Sequence, residues 1–247
     1  MDKMLYLGMT GAKHTQMAQT VTVNNLANAN TPGFRGDFQA LLSDEINGSG
    51  QFASRINSMG ADRASSMAHG TMVATGRELD VAVDGDGWLA VQGANGQEGY
   101  SRRGDLQISA EGLLTNGAGQ PIMGDGGPIT LPPYQSLSLA SDGTISIVPM
   151  GSGPETTVAL GRIKLVTLDE SQAMKGDDGL MRQKDGAAGE PTTTARLQSG
   201  SLESSNVSAV ESLVSMIDLS RQYEMQVRMM QTAKDMSDSG TRMIRME

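Results

Sequence analysis

"NNLANANTPGFR", residues 24–35, places four asparagines within seven positions and then turns at Thr31-Pro32-Gly33. Asparagine weakens a helix interior because its amide competes for backbone hydrogen bonds. The residues before it nonetheless carry helical spacing. Leu5, Met9, Ala12, Gln16, Gln19, Val23 and Leu26 recur at intervals of four and three, the rhythm of a coiled-coil seam. Pro32 biases Thr31 away from the helical region and Gly33 permits a turn, so the spacing predicts a helix over about residues 3–28, roughly 40 Å long. Asn28 and Asn30 suit a helix end that unwinds into an Asx-turn. Asn24, Asn25 and Asn28 lie on a face beside the seam, where amides at a helix interface must find partners and thereby fix register; they form a candidate lock.

The far end of the chain has the same character. Ser208-Ala209-Val210-Glu211 is a capping box, with Ser208 as cap and Glu211 reaching back to it. Behind it Met216, Leu219, Tyr223, Val227, Met230 and Ala233 recur every three or four residues, with no proline before Glu247. Of the 18 methionines, 11 fall in the two terminal segments: Met1, Met4, Met9, Met17, Met216, Met225, Met229, Met230, Met236, Met243 and Met246. Methionine fills irregular gaps and tolerates repacking, which suits either an ordinary core or an interface whose contacts differ from copy to copy.

Between the ends the period changes to two. "LDVAVDGDGWLAV" (79–91) alternates Leu79, Val81 and Val83, then turns at Asp84-Gly85-Asp86-Gly87. Asn116-Gly117 stands between two apolar runs, a strong hairpin signal. "SDGTISIV" (141–148) and "GRIKLVTL" (161–168) are further strand candidates, and residues 175–196 suggest loops or an edge. Residues 36–75 are ambiguous: "DFQALLSDEI" (37–46) is compatible with a short helix, with extended linker following. The expected architecture is α+β. Residues 1–35 form an N-terminal helix with its signature loop, 36–75 a connector, 76–198 a central antiparallel β-rich domain, and 199–247 a C-terminal helix. A long amphipathic helix gains its stability from packing, so the two terminal helices are expected to pair as a coiled coil and to offer their remaining apolar faces to other copies.

Composition narrows the function. The 247 residues carry a net charge of −9 and contain no cysteine, which excludes a disulfide framework and a thiolate metal site. Residues 1–30 hold Lys3 and Lys13 against Asp2; residues 208–247 hold five basic against six acidic side chains; residues 31–207 hold 12 against 21. Nearly neutral ends can pack densely, while an acidic middle stays hydrated. The acidic balance and the lack of a basic stripe argue against a nucleic-acid partner. No run is long enough to span a bilayer and no cleaved signal is expected.

Nothing in the sequence asks for catalysis. His14 and His69 stand without a neighbouring carboxylate pattern and read as surface histidines, and the familiar nucleophile, phosphate-loop and metalloprotease motifs do not occur. Asp80, Asp84 and Asp86 fit an Asp-Gly hairpin turn better than a calcium loop, because Trp88 falls where a further ligand belongs. No cofactor, metal or catalytic residue is expected.

The stretches "NNLANANTPGFR", "LDVAVDGDGWLAV", "YSRRGDLQISAEGLLTNGAGQPIMG" (100–124) and "GSLESSNVSAVESLVSMIDLSRQYEMQVRMM" (200–230) together resemble bacterial flagellar rod and hook proteins. Residues 125–195 match only loosely. Within that family the likeness is to the proximal-rod branch, with the distal rod and hook branches as alternatives. The resemblance implies a structural subunit that assembles helically through paired terminal helices, with a β domain outside. It further implies copies of itself and neighbouring rod proteins as partners, passage through the flagellar export apparatus without a cleaved signal, and a periplasmic place in the basal body. The assembly interface would comprise Leu5, Met9, Ala12, Val23, Asn24, Asn25, Leu26, Asn28, Pro32, Gly33, Met216, Leu219, Tyr223, Val227, Met230 and Ala233. A soluble β-domain module whose helices merely dimerise is the rival from another class; a wall hydrolase is more distant.

Overall fold

The computed structural model describes residues 2–45, 56–151 and 156–244. Met1, Met246 and Glu247, and residues 46–55 of the expected connector, lie outside the described residues. In chain order two long helices stand before and after a β-rich middle: α1 spans Asp2–Ala27 and α2 spans Ala209–Ile244. The chain forms two compact units, one from Met1–Ala29, Gly36–Ser66 and Val207–Glu247, the other from Asn30–Arg35 and Met67–Asn206. The six signature residues Asn30–Arg35 thus belong to the β unit, although helical segments precede them and a hairpin follows.

In the helical unit, α1 and α2 pack antiparallel. Gly8 is closest to Met230, and further along α1 Gly11 lies against Gln226. Thr15 Oγ1 donates to Gln226 Oε1 at 3.3 Å. Small residues make the α1 side of this seam: Gly8, Ala12 and Thr15 are buried there, while Ser212 and Ala233 are buried on α2. Small side chains let two helix axes approach closely. The helix start is capped as its sequence requires, with Ser208 Oγ accepting the Glu211 amide at 3.3 Å. Residues 37–45 form no helix: β1 (Asp37–Glu45) pairs antiparallel with β2 (Ile56–Ser65), Asp37 opposite Ser65. Spacing in "DFQALL" fits either period over so short a run, and cross-strand pairing decides it.

The β unit is built on β4 (Val81–Asp84) and β5 (Gly87–Gln92), joined by the Asp84–Gly87 turn. Leu89 and Val91 point into the main core with Val81, Val83, Leu106, Leu114, Ile122, Ile145, Ile147 and Ile163. Trp88 and Ala90, on the opposite face of the same strand, join a second cluster with Tyr100, Val166, Leu168 and Met181. Strand β5 is therefore buried on both faces, each large side chain contributing about 1.5–3 kcal/mol. It lies inside a six-stranded sheet, paired with β6 (Glu98–Ser101) on one side and Leu165–Thr167 on the other. Glu190–Pro191, in the weakly patterned stretch, forms one edge of that sheet. A three-stranded meander, Tyr134–Leu139, Thr144–Pro149 and Val158–Arg162, adds a second layer to the core. The Asn116-Gly117 signal does mark a reversal, but a wider one: Asn116 accepts from Gln120 and from Ala118 through its side-chain oxygen, each at 3.0 Å, so the turn runs over 116–120.

Candidate functional site: helix faces and the Glu203 clamp

The expected interface residues separate into three groups. Ala12 and Ala233 are buried in the α1–α2 seam, and Leu26, Met216, Leu219, Val227 and Met230 are half-buried. Leu5, Met9, Val23 and Tyr223 are exposed. They are joined on the helix surfaces by Tyr6, Met17, Val210, Leu213, Val214, Ile217, Met225, Met229 and Met236. Because glycine, alanine and threonine fill the seam, most of the large apolar side chains are left on the outside of the pair. Val210, Leu213, Val214 and Ile217 follow the three-and-four spacing of one helix face, and Val210 is 72% exposed. A soluble monomer rarely leaves so much contiguous apolar surface uncovered.

The asparagines work inside the chain. Asn25 Nδ2 donates to the Asp37 carbonyl at 2.6 Å while Asn25 Oδ1 accepts the Asp37 amide at 2.9 Å. One carboxamide thus satisfies both backbone groups at the start of β1. Asn28 Nδ2 donates back to the Asn24 carbonyl at 2.9 Å, tightening the last turn of α1. Asn25 and Asn28 fix the exit from the helix; Asn24 is exposed.

Pro32 and Gly33 lead into the β unit's most polar interior. Gly33 has φ = +66°, and its amide donates to the Glu203 carbonyl at 2.7 Å. A Cβ there would lie 2.3 Å from the Arg102 carbonyl carbon and oxygen, so the position takes only glycine without backbone movement. Two residues on, the Arg35 guanidinium pairs with Glu203 at 2.7 Å, and Arg102 pairs with the same carboxylate at 3.1 Å. All three side chains are almost wholly buried. Both guanidinium groups lie over Trp88, at 5.6 Å and 5.4 Å from its ring centre. Arg102 also donates to the Val83 and Gly85 carbonyls at 2.9 and 2.6 Å, bracing the turn between β4 and β5. Glu203 accepts the Gly70 amide at 2.9 Å. Burial draws the Arg102 guanidinium down from its ordinary range, and the Glu203 carboxylate opposes that fall.

His69 is half-exposed and closes the cluster, 3.3 Å from Arg35 and 3.3 Å from the exposed Asp86. It is no isolated surface histidine. Lys175, on the sheet edge, donates to the Arg35 carbonyl at 2.9 Å and stands 4.0 Å above the Phe34 ring. The signature "TPGFR" is accordingly a plug in the β unit, held by Glu203, Arg102, Trp88 and Lys175. Sequence reasoning missed the clamp, although Arg35, Trp88, Arg102 and Glu203 all stand in the quoted motifs. One signal was available: in Ser201–Glu203 the alternation turns Glu203 inward with Ser201, a charged residue where a core residue belongs.

Two paired terminal helices that leave large apolar side chains exposed, in a chain whose β unit holds the signature loop, suit the class of structural proteins made to be assembled. Three family descriptions match the chain: "Flagella basal body rod protein" over residues 5–35, "Flagellar hook protein FlgE/F/G D1 domain" over 82–147, and "Flagellar basal body rod FlgEFG protein C-terminal" over 198–243. The chain belongs to the flagellar basal-body rod protein family. It is 41% identical over 234 residues to the flagellar basal-body rod protein FlgF of Salmonella typhimurium, covering 92% of each chain. It is 38% identical to FlgF of Escherichia coli over the whole of both chains. To the rod protein FlgG of Bacillus subtilis it is 33% identical, covering 95% of this chain and 96% of that one.

Proposed function

We propose that this chain is a structural subunit of the proximal part of the flagellar basal-body rod. It assembles helically with copies of itself and with neighbouring rod proteins into the shaft that transmits torque across the periplasm. Its terminal helices pair as a coiled coil, and their outer faces carry the contacts between subunits. The observation that supports this most is the small-residue seam, which leaves Leu5, Met9, Val23, Val214, Ile217 and Tyr223 for neighbours to cover. Asn24 sets register between neighbours, while Asn25, Asn28, Pro32 and Gly33 hold the helix exit. Higher identity to the two FlgF proteins than to the FlgG protein supports the proximal branch. Likeness over both helices and the β unit does not favour a free-standing binding module. Assembly, not turnover of a substrate, is the activity, and passage through the flagellar export apparatus delivers the chain to the periplasm. Among the described residues no helix is long and apolar enough to cross a membrane.

The test is a chain carrying both Val214→Asp and Ile217→Asp, expressed in place of the normal one. Both side chains are exposed, so the purified chain should unfold as the unsubstituted one does, while swimming is lost and basal bodies stop short. Normal swimming with intact rods would refute the assignment of the α2 outer face.

A further inference from the structure

The β unit is closed by its last residues. Arg196–Ser199 pairs with β4 along its whole length, from Arg196 opposite Asp84 to Ser199 opposite Val81. Ser201–Glu203 then pairs with β3 (Met72–Ala74). Ala195 and Leu197 enter the main core, both only 4% exposed. Take residues 195–203 away and β4, a strand buried along most of its length, has an open edge. Arg35 and Arg102 would then be two like charges over one indole ring, beside the exposed Asp86 and, among the described residues, without the buried carboxylate that now pairs with both. Leaving a buried charge without its partner is among the most destabilising single losses in a protein. Open edges of buried strands are similarly costly, because their amides and carbonyls lose both water and partner.

We propose that Glu203 is the closing residue of the β unit. The core of β4 and β5 does not become stable until Arg196–Glu203 has docked, so the chain stays open until more than four-fifths of its length can take part. Closure is thereby tied to the segment that leads directly into α2. The N-terminal plug Asn30–Arg35 and the C-terminal strand pair are secured in one event, because the same carboxylate pairs with Arg35, near the end of α1 in sequence, and with Arg102.

The full chain, refolded from urea and sampled by pulsed hydrogen exchange with mass spectrometry, tests this. Amides of Val81–Asp84 and Gly87–Gln92 are expected to gain protection in the same phase as those of Arg196–Ser199 and Ser201–Glu203. Protection of β4 and β5 in an earlier phase overturns the proposal. Glu203→Gln in the full chain should slow that shared phase about tenfold, since it strands two guanidinium groups at the point of closure. Adding Arg35→Met, which removes one of the two like charges, should bring the rate back to within about threefold of the original. A double variant slower than Glu203→Gln alone contradicts the charge argument. Should the Glu203→Gln chain remain unfolded, the exchange pattern of the unsubstituted chain still decides.

Discussion

Replacing Gly33 by alanine isolates what the signature loop requires of its backbone. Two costs combine. An L-residue at φ = +66° bears left-handed strain of about 1–2 kcal/mol. The new Cβ also meets Arg102 backbone atoms at 2.3 Å, and backbone cannot swing aside as a side-chain tip can. Such overpacking costs about 1–3 kcal/mol, bringing the total to roughly 2–5 kcal/mol. Gly76 supplies the control: its φ is +73°, yet nothing lies within 4 Å of a Cβ placed there. Gly76→Ala should therefore cost only the strain, about 1–2 kcal/mol. The chain has a single tryptophan, and Trp88 stands beside the clamp that Gly33 feeds, so its fluorescence reports this unit alone. Urea unfolding followed at Trp88 should show Gly33→Ala about 2 kcal/mol less stable than Gly76→Ala, or roughly 4–8 °C lower in melting temperature. Equal destabilisation of the two would refute the close packing of loop against Arg102.

Three further outcomes are expected. Asn25→Asp keeps an acceptor for the Asp37 amide but loses the donor to the Asp37 carbonyl, and should cost the helical unit about 1–2 kcal/mol in circular-dichroism unfolding at 222 nm. Ala12→Leu, in the buried seam, should cost about 1–3 kcal/mol in the same measurement, whereas Met9→Leu, 58% exposed, should change stability by less than about 0.5 kcal/mol. Burial lifts the Tyr100 phenol above its ordinary value of 10.0, partly countered by the Gly189 amide that donates to it at 2.6 Å. The folded state then holds its proton longer than the unfolded state does, so this contribution is complete below pH 10.0 and is lost as pH rises through the folded value. Tyr100→Phe should flatten that alkaline decline in stability relative to the unsubstituted chain.

Legibility in the sequence followed the range of the interaction. The limits of α1 and α2, the cap at Ser208, the strands around Asp84–Gly87 and the reversal at Asn116 depend on neighbours within a few positions, and local patterns carry them. The seam is partly legible: Ala12 and Ala233 fall on the expected rows, but the rows on α1 centre on Gly8, Ala12 and Thr15 instead of Leu5, Met9 and Val23. Apolarity alone draws attention to the large residues, while close helix contact selects the small ones. Residues 37–45 stay ambiguous in the sequence because their partner, β2, lies beyond a connecting stretch and only pairing sets their period. The clamp was the least legible of all. Glu203 meets Arg102 across 101 positions of sequence and Arg35 from still farther, and in "SLESSN" an acid among serines looks like solvated surface.

Subunits are expected to meet through the outer faces of the terminal helices. The chain contains no cysteine, so one introduced thiol can be followed without background. Ile217→Cys on α2 and Met150→Cys on the β unit, both at exposed positions, would be placed in otherwise normal chains and tested for cross-linking in purified basal bodies. Ile217→Cys should link efficiently to a neighbouring rod subunit and Met150→Cys should not; efficient linkage through Met150→Cys with none through Ile217→Cys would overturn assembly through the helix faces.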